Sequence, residues 1–261
     1  MARNIPGPLY AERQGESGIP MVFLHSTPDD NRLWMFQMAH FSQWYRCIAV
    51  DSAGYGRSPA QQEGVTLADQ AEATWELVDT ITTGPVILQG NSMGSEIAMH
   101  MADQRPERTA CMILSGCGYL PDIREIQLKG KEAYRQEGIA RRRTAVLQHF
   151  QPKMRELPHV QHYADMVCAL NNAATLESIM LMNQALADAN PALYPRLKVP
   201  SIIIIGSEDF TLPGALKLQK HIPGCELVRL EGAGHANCFE LPWEFDRLCI
   251  EYLKKRGLFP G

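Results

Sequence analysis

A serine hydroxyl becomes a working nucleophile only beside a base that takes its proton and an acid that orients the base. The chain offers such a serine in Gly90-Asn91-Ser92-Met93-Gly94. The pentapeptide follows a short apolar run, Val86-Ile87-Leu88, and leads into a helical pattern through Ile97, Ala98 and Met101. A strand, a sharp turn carrying serine and then a helix make a nucleophile elbow. Positions two residues to either side of the serine crowd the backbone of such a turn, and glycine at 90 and 94 leaves the room it needs. The turn lifts the Ser92 hydroxyl above the sheet edge. It also aims the Met93 backbone N–H, at a helix N-terminus, toward any oxyanion that forms.

The base and the acid are sought at the carboxyl ends of strands, where open α/β sheets collect their working residues. Of the eight histidines, His235 follows the last strand in a Gly-Ala-Gly-His loop that lets the backbone bend. His25 also ends a strand, whereas His40, His100 and His221 fall in helical patterns. The base is therefore assigned to His235. Asp209 follows the Ser201–Ile205 strand through Gly206-Ser207-Glu208 and is assigned as the acid. Glu208 is its rival, although consecutive residues point in different directions. Asp51 ends a strand too, and reads more simply as a tie for the Gly54–Gly56 turn.

These residues need a scaffold that alternates strands and helices. Apolar runs predict strands at Met21–Leu24, Cys47–Val50, Val86–Leu88, Thr109–Ser115, Ser201–Ile205 and Cys225–Leu230. Helical spacing predicts helices from about Leu33 to Phe41, Thr66 to Thr82, Leu216 to His221 and Pro242 to Lys255. Residues 1–19, rich in Pro and Gly, predict a hairpin or loop. From about Gly116 to Pro195 the strand rhythm stops, and helices are expected around Arg124–Glu137, Arg141–Phe150, Val160–Leu170 and Leu176–Ala189. The expected fold is α/β: a mostly parallel sheet with helices on both faces. Residues 1–116 and 196–261 form the core, and 117–195 form a helical lid inserted between strands.

Composition narrows the function classes. At 261 residues, 45% hydrophobic and 21% charged, the chain reads as one ordinary globular unit. A net charge of −4 gives no reason to expect nucleic-acid binding. The first residues lack the apolar core of a secretory signal, and no apolar run approaches membrane-spanning length. Seven scattered cysteines, odd in number and without a C-x-x-C pair, read as free thiols in a reducing cytosol. No cluster has metal-ligand spacing, and no cofactor is implied.

Taken together, the His25-Ser26-Thr27-Pro28 loop, the Asp51 to Ser58 turn, the Gly90–Gly94 elbow, Gly206 to Asp209 and Gly234-His235 resemble the α/β-hydrolase fold superfamily. The likeness is to its lid-bearing small-esterase and carbon–carbon hydrolase branch, and it covers nearly the whole chain. The order Ser92, Asp209, His235 is that of α/β-hydrolase triads. The resemblance implies a second oxyanion donor from the loop after His25, namely the Thr27 backbone N–H, as partner to Met93. Family members usually carry glycine directly after that histidine, where this chain has Ser26, and many carry a second glycine where it has Ser95. Haloalkane dehalogenases and epoxide hydrolases of similar fold use aspartate at the elbow, and Ser92 argues against both chemistries. Glu96, one helical turn after Ser92, reads more simply as a solvated or structurally paired carboxylate than as a group beneath the site.

The sequence thus predicts a serine hydrolase acting on a small carboxylic ester, lactone or related acyl compound with an apolar acyl or aryl part. The lid supplies aromatic, methionine and aliphatic side chains, most of them for packing and the rest for an apolar pocket. From Cys117 to Glu156 it carries nine Lys or Arg against five acids, which a solvated helix face explains. The functional version has one arginine reaching inward to a substrate carboxylate. Carbon–carbon cleavage of a vinylogous diketone is the alternative, lowered because Ala236-Asn237-Cys238 stand where those relatives carry tryptophan after the histidine. A slow-turnover ligand receptor and a lyase or perhydrolase are further alternatives on the same site. No nucleic-acid or membrane partner is expected, and the sequence sets no oligomeric state.

Overall fold

The computed structural model describes residues 5–170 and 173–260; the first four residues of the expected N-terminal segment lie outside the described residues. Seven strands form one sheet: β1 (Ala11–Gln14), β2 (Pro20–Leu24), β3 (Arg46–Val50), β4 (Val86–Asn91), β5 (Thr109–Ser115), β6 (Ser201–Gly206) and β7 (Glu226–Leu230). Their spatial order is β1-β3-β2-β4-β5-β6-β7, and every pairing is parallel except that of β1 with β3. Before β4 come helices α1 (Met35–Phe41) and α2 (Leu67–Asp79), and α3 (Met93–Gln104) follows it. Between β5 and β6 lie α4 (Leu120–Glu137), α5 (Arg141–Gln148), α6 (Pro152–Arg155), α7 (Pro158–Ala169) and α8 (Ala173–Ala187). After β6 come α9 (Leu212–His221), α10 (Asn237–Glu240) and α11 (Pro242–Lys255).

The apolar runs become strands because both sheet faces are covered, so neighbouring side chains are buried on opposite sides. Val22, Leu24, Ile48, Val50 and Leu88 enter one core with Trp75 of α2, Ile97 of α3 and Leu218 of α9. Met21, Phe23, Cys47, Ala49 and Ile87 enter the other with Phe41 of α1 and Phe245 and Leu253 of α11. The helices between β5 and β6 join the same two cores: Tyr134, Ile179 and Met182 belong to the first, and Val146, Tyr163 and Val167 to the second. Local signals fix several helix starts. Thr66 accepts a hydrogen bond from the Asp69 N–H at 3.1 Å, and the Asp69 carboxylate accepts from the Thr66 N–H at 2.8 Å, a reciprocal cap for α2.

Three observations differ from the sequence expectation. Within the segment expected as a hairpin or loop, the structure has a single strand, β1, which pairs antiparallel with β3, because both edges of β2 are already taken by β3 and β4. Helices α4 and α9 begin at Leu120 and Leu212, four residues earlier than read. Pro121 and Pro213 hold the first turns of these helices, where a missing N–H breaks no intrahelical bond.

The strand order decides where a site can form. From β2 the chain moves out to β3, then returns to the other side of β2 as β4. A crevice therefore opens beyond the carboxyl ends of β2 and β4. The His25–Pro28 loop and the Gly90–Gly94 turn both lead into it.

Candidate active site

The elbow is built by close approach. A Cβ on Gly90 would collide with the Gly94 carbonyl, and one on Gly94 would collide with the Leu24 carbonyl at the end of β2. Ser92 sits between them at φ 52°, the only non-glycine residue with positive φ among those described. Such a backbone stores strain and persists where its surroundings fix it. The surroundings here are hydrogen bonds: the Ser92 N–H donates to the Ser115 carbonyl at 2.8 Å. The Ser95 hydroxyl lies 2.9 Å from the carbonyl oxygens of both Gly90 and Ser115 and ties β4 to β5.

Ser92, Met93, Thr27 and His235 line one cavity of about 310 Å³. Among the described residues the Ser92 hydroxyl is not hydrogen-bonded. The His235 Nδ1 lies 3.0 and 3.1 Å from the two carboxylate oxygens of Asp209, which leaves its Nε2 for another partner. Asp209 also accepts from the Thr211 N–H and hydroxyl, both at 2.8 Å. Burial opposes charge on Asp209, but the His235 ring and the Thr211 donors outweigh it and hold the carboxyl below its ordinary range. Burial likewise opposes a charged His235; the Asp209 carboxylate overcomes it and raises the imidazole above its ordinary value, with Asp29 and Glu240 adding to the effect. Glu208, the rival acid, is exposed.

The other candidates have structural partners. His25 accepts the Ser52 N–H at its Nε2 (3.0 Å) and so donates from Nδ1 to the Ser26 carbonyl (2.8 Å). Asp51 accepts the N–H groups of Asn31 and Arg57, both at 2.8 Å, and a Cβ on Gly56 would collide with its carboxylate. The Ser26 hydroxyl donates to Asp29. Arg142 is buried and donates from Nε to the Pro28 carbonyl at 2.9 Å, while Arg141 lines the cavity and pairs with Glu137 at 2.8 Å.

Several groups lining the cavity or bonded to its lining carry little sequence signal. Asp29, which reads as turn chemistry, is buried and accepts from Ser26, from the Tyr163 hydroxyl at 2.9 Å and from His149 Nδ1 at 3.0 Å. Burial opposes its charge, yet His149 and the two hydroxyls hold its carboxyl below the ordinary value. The His149 ring lies 4.9 Å from that of His235, and both line the cavity. Phe210, half exposed, stacks on His235 at 4.6 Å. Glu96 is buried on the cavity wall, where the sequence reading favoured a solvated or paired carboxylate. Burial pushes its carboxyl up to about 8, partly offset by the Tyr194 hydroxyl.

The His235 loop is held from two sides. The Asn91 side-chain amide of the elbow donates to the His235 carbonyl at 3.1 Å. The segment after α5 supplies the rest. The His149 carbonyl accepts the Ala236 N–H at 3.1 Å, and Glu240 bridges the N–H groups of Gln151 (2.7 Å) and Gly234 (2.6 Å). Gln151 also donates to the Gly232 carbonyl. Among the described residues no group of His, Cys, Asp and Glu is placed to hold a metal, and no helix is long and apolar enough to cross a membrane.

Comparison with known proteins agrees with this architecture. The profile of a family described as alpha/beta hydrolase fold matches residues 19–242. The chain is 25% identical over 257 residues to the dihydrolipoyllysine-residue acetyltransferase component of the acetoin cleaving system of Pseudomonas putida, covering 94% of this chain and 66% of that protein. It is 36% identical over 104 residues to the (E)-2-((N-methylformamido)methylene)succinate hydrolase of Acinetobacter baylyi, covering 40% of this chain and 39% of that one. Both matches thus span less than two thirds of the relative's length. Among solved structures, the enol-lactonase of Burkholderia xenovorans LB400 superposes with a TM-score of 0.83 at 23% identity, over 94% of this chain and 96% of the other.

Proposed function

The chain belongs to the α/β-hydrolase fold family, and from that membership we propose that it is a serine hydrolase of a small carboxylic ester, lactone or related acyl compound. One observation carries the reading: a serine strained into the open on its elbow shares a cavity with an imidazole whose far nitrogen is taken by a buried carboxylate. In the proposed cycle His235 takes the Ser92 proton through Nε2 as the oxygen attacks the substrate carbonyl. Asp209 fixes the ring and stabilises the imidazolium. The N–H groups of Met93 and Thr27 receive the oxyanion; Met93 opens α3, where the first N–H groups have no intrahelical partner. The imidazolium returns its proton to the leaving group. Water, deprotonated by His235, then releases the acyl group from Ser92.

The walls support a substrate with an apolar part. Leu120, Ile123, Ile126, Leu186 and Phe210 line the cavity, and the helices that supply most of them serve as a lid on this reading. Arg141 on the same wall, its Nε buried without a partner among the described residues, favours as a second reading an acyl compound that also carries a carboxylate. The seven free thiols are consistent with a reducing cytosol. The test is hydrolysis of a p-nitrophenyl ester series by the wild type and Ser92→Ala, with a panel of lactones, amides and dienones alongside. Wild-type turnover that falls roughly 10⁴-fold or more in the variant is the expected result. Serine-independent turnover refutes the proposal, and rapid bleaching of a dienone moves it to carbon–carbon cleavage.

A further inference from the structure

The proposed cycle leaves one buried acid on the cavity wall unused. Glu96 lies four residues after Ser92, the N-cap of α3, so the two backbone positions stand about one helical turn apart, roughly 6 Å along the axis. It is 2% exposed and lines the same cavity as Ser92 and Thr27. Its partner is the Tyr194 hydroxyl, 3.3 and 3.5 Å from the two carboxyl oxygens. Among the described residues that hydroxyl is the one side-chain hydrogen-bond partner of the Glu96 carboxyl, at the long end of the range.

The charged and titratable surroundings supply no counterion. Cys117, which faces Glu96 from the loop after β5, is held as a thiol by burial. His100, one turn further along α3, is pushed down to about 4 by burial and is neutral. Asp103 on α3 and Arg196 ahead of β6 pair with each other, at 2.6 Å. The other ionisable groups on the cavity wall are His235, His149, Arg141 and Tyr134. Among the described residues no cation forms an ion pair with Glu96, and the two imidazoles and Arg141 have their own carboxylates. An ionised carboxylate buried without a cation is strongly disfavoured, so this carboxyl keeps its proton. Its O–H is then a donor whose one side-chain partner, the Tyr194 hydroxyl, lies at 3.3 to 3.5 Å, and the carboxyl also faces the cavity, where a shorter bond to a substrate oxygen can replace that contact. Apolar sites that hold an acid neutral so that it can donate a hydrogen bond are an established catalytic device.

We propose that Glu96 is a specificity-determining residue whose carboxylic O–H donates a hydrogen bond to an acceptor oxygen on the substrate, about one helical turn from the scissile carbonyl. This rests on the hydrolase reading above. The ligand class is an acyl compound bearing a second carbonyl or ether oxygen. A substrate that lacks the acceptor leaves the buried donor with only the long Tyr194 contact, a penalty equivalent to roughly 10- to 100-fold in kcat/KM.

The experiment compares p-nitrophenyl acetoacetate and levulinate with butyrate and valerate, for the wild type, Glu96→Gln and Glu96→Leu. The wild type will prefer at least one oxo-ester over its unsubstituted partner by roughly 10-fold or more near pH 6.5, mostly through KM. Glu96→Gln, which keeps an N–H donor and the same shape, will retain a preference that does not change with pH. Glu96→Leu will lose it. Only in the wild type will the preference decay as pH rises through about 8, where the donor is lost. Circular dichroism and the rate of Ser92 labelling by a fluorophosphonate check that each variant is folded and armed; if Glu96→Leu fails that check, the pH contrast between the wild type and Glu96→Gln decides. Normal labelling with no oxo-ester preference, or a preference that ignores pH in the wild type, overturns the proposal alone. A wild type that neither labels nor turns over any ester overturns the hydrolase reading and this proposal with it.

Discussion

Replacing Glu96 by glutamine should change how stability depends on pH, whatever the substrate is. In the unfolded chain this carboxyl releases its proton near the ordinary value of 4.5, whereas in the fold burial holds the proton up to about 8. Between those values the native state binds more protons than the unfolded chain, so stability falls as pH rises. The stabilisation is fully present below 4.5 and is gone once pH exceeds the folded value of about 8. At about 1.4 kcal/mol per pH unit, the span from 4.5 to about 8 gives a ceiling of about 5 kcal/mol. Small domains hold about 5–15 kcal/mol in total, so a fraction of that ceiling is readily measured. Glutamine keeps the shape and the bond with Tyr194 but cannot titrate, so the difference between the two proteins isolates this group. Urea unfolding at three or four pH values across the window gives both stability curves. The wild-type curve should descend relative to that of Glu96→Gln. Parallel curves would refute the argument, because they would mean that the carboxyl is charged in the fold or reaches water.

Three further outcomes follow from the geometry. On the proposed mechanism the acid limb of the kcat/KM profile should have its midpoint above 6.5, because Asp209 raises His235 and a general base must be neutral to act; in Asp209→Asn the midpoint should move down and kcat should fall by about 10⁴-fold. Asp29→Ala strands the donors of Ser26, Tyr163 and His149 in a buried site, at about 1–3 kcal/mol each, and differential scanning calorimetry should find a melting temperature lower by at least about 6 °C. Gly94→Ala drives a methyl into the Leu24 carbonyl, so the elbow must shift; fluorophosphonate labelling of Ser92 should slow by at least about 100-fold, while far-ultraviolet circular dichroism stays close to wild type.

What could be read from the sequence was whatever local chemistry dictates. The apolar runs at β5 and β6 and the pattern of α11 gave their elements nearly to the residue, because burial on both sheet faces or on one helix stripe writes itself into spacing. Ser92, Asp209 and His235 could be picked out as candidates because glycines and strand ends announce themselves. The pairing of β1 was hidden, since no feature of four residues says which free edge of a sheet they will join. Glu96 was half read for a related reason: it has a structural partner in Tyr194, one of the options the sequence offered, but it is buried on the cavity wall and not solvated. On a helix surface a glutamate is usually solvated, and only the tertiary position of Tyr194 and of the helices above closes it off from water. His149 and Asp29 lie 120 residues apart in the chain, and no local pattern joins them. Ser26 was the one visible hint: its hydroxyl is a partner of Asp29 and lies off the cavity wall.

The attachment of Gln151 and His149 to the 232–240 loop bears on how this protein could be re-engineered. The hydrogen bonds from Ala236 to His149 and from Gln151 and Gly234 to Glu240 make the segment after α5 a splint for the loop that carries His235. A chimera that exchanges the helices between β5 and β6 for those of another protein would remove this splint along with the pocket wall. Such a graft must carry a hydrogen-bonding match for Glu240 and for the Ala236 N–H, or the histidine loop loses one of its two supports. The safest splice points therefore keep residues 149–151 with the host and exchange only what lies to either side of them.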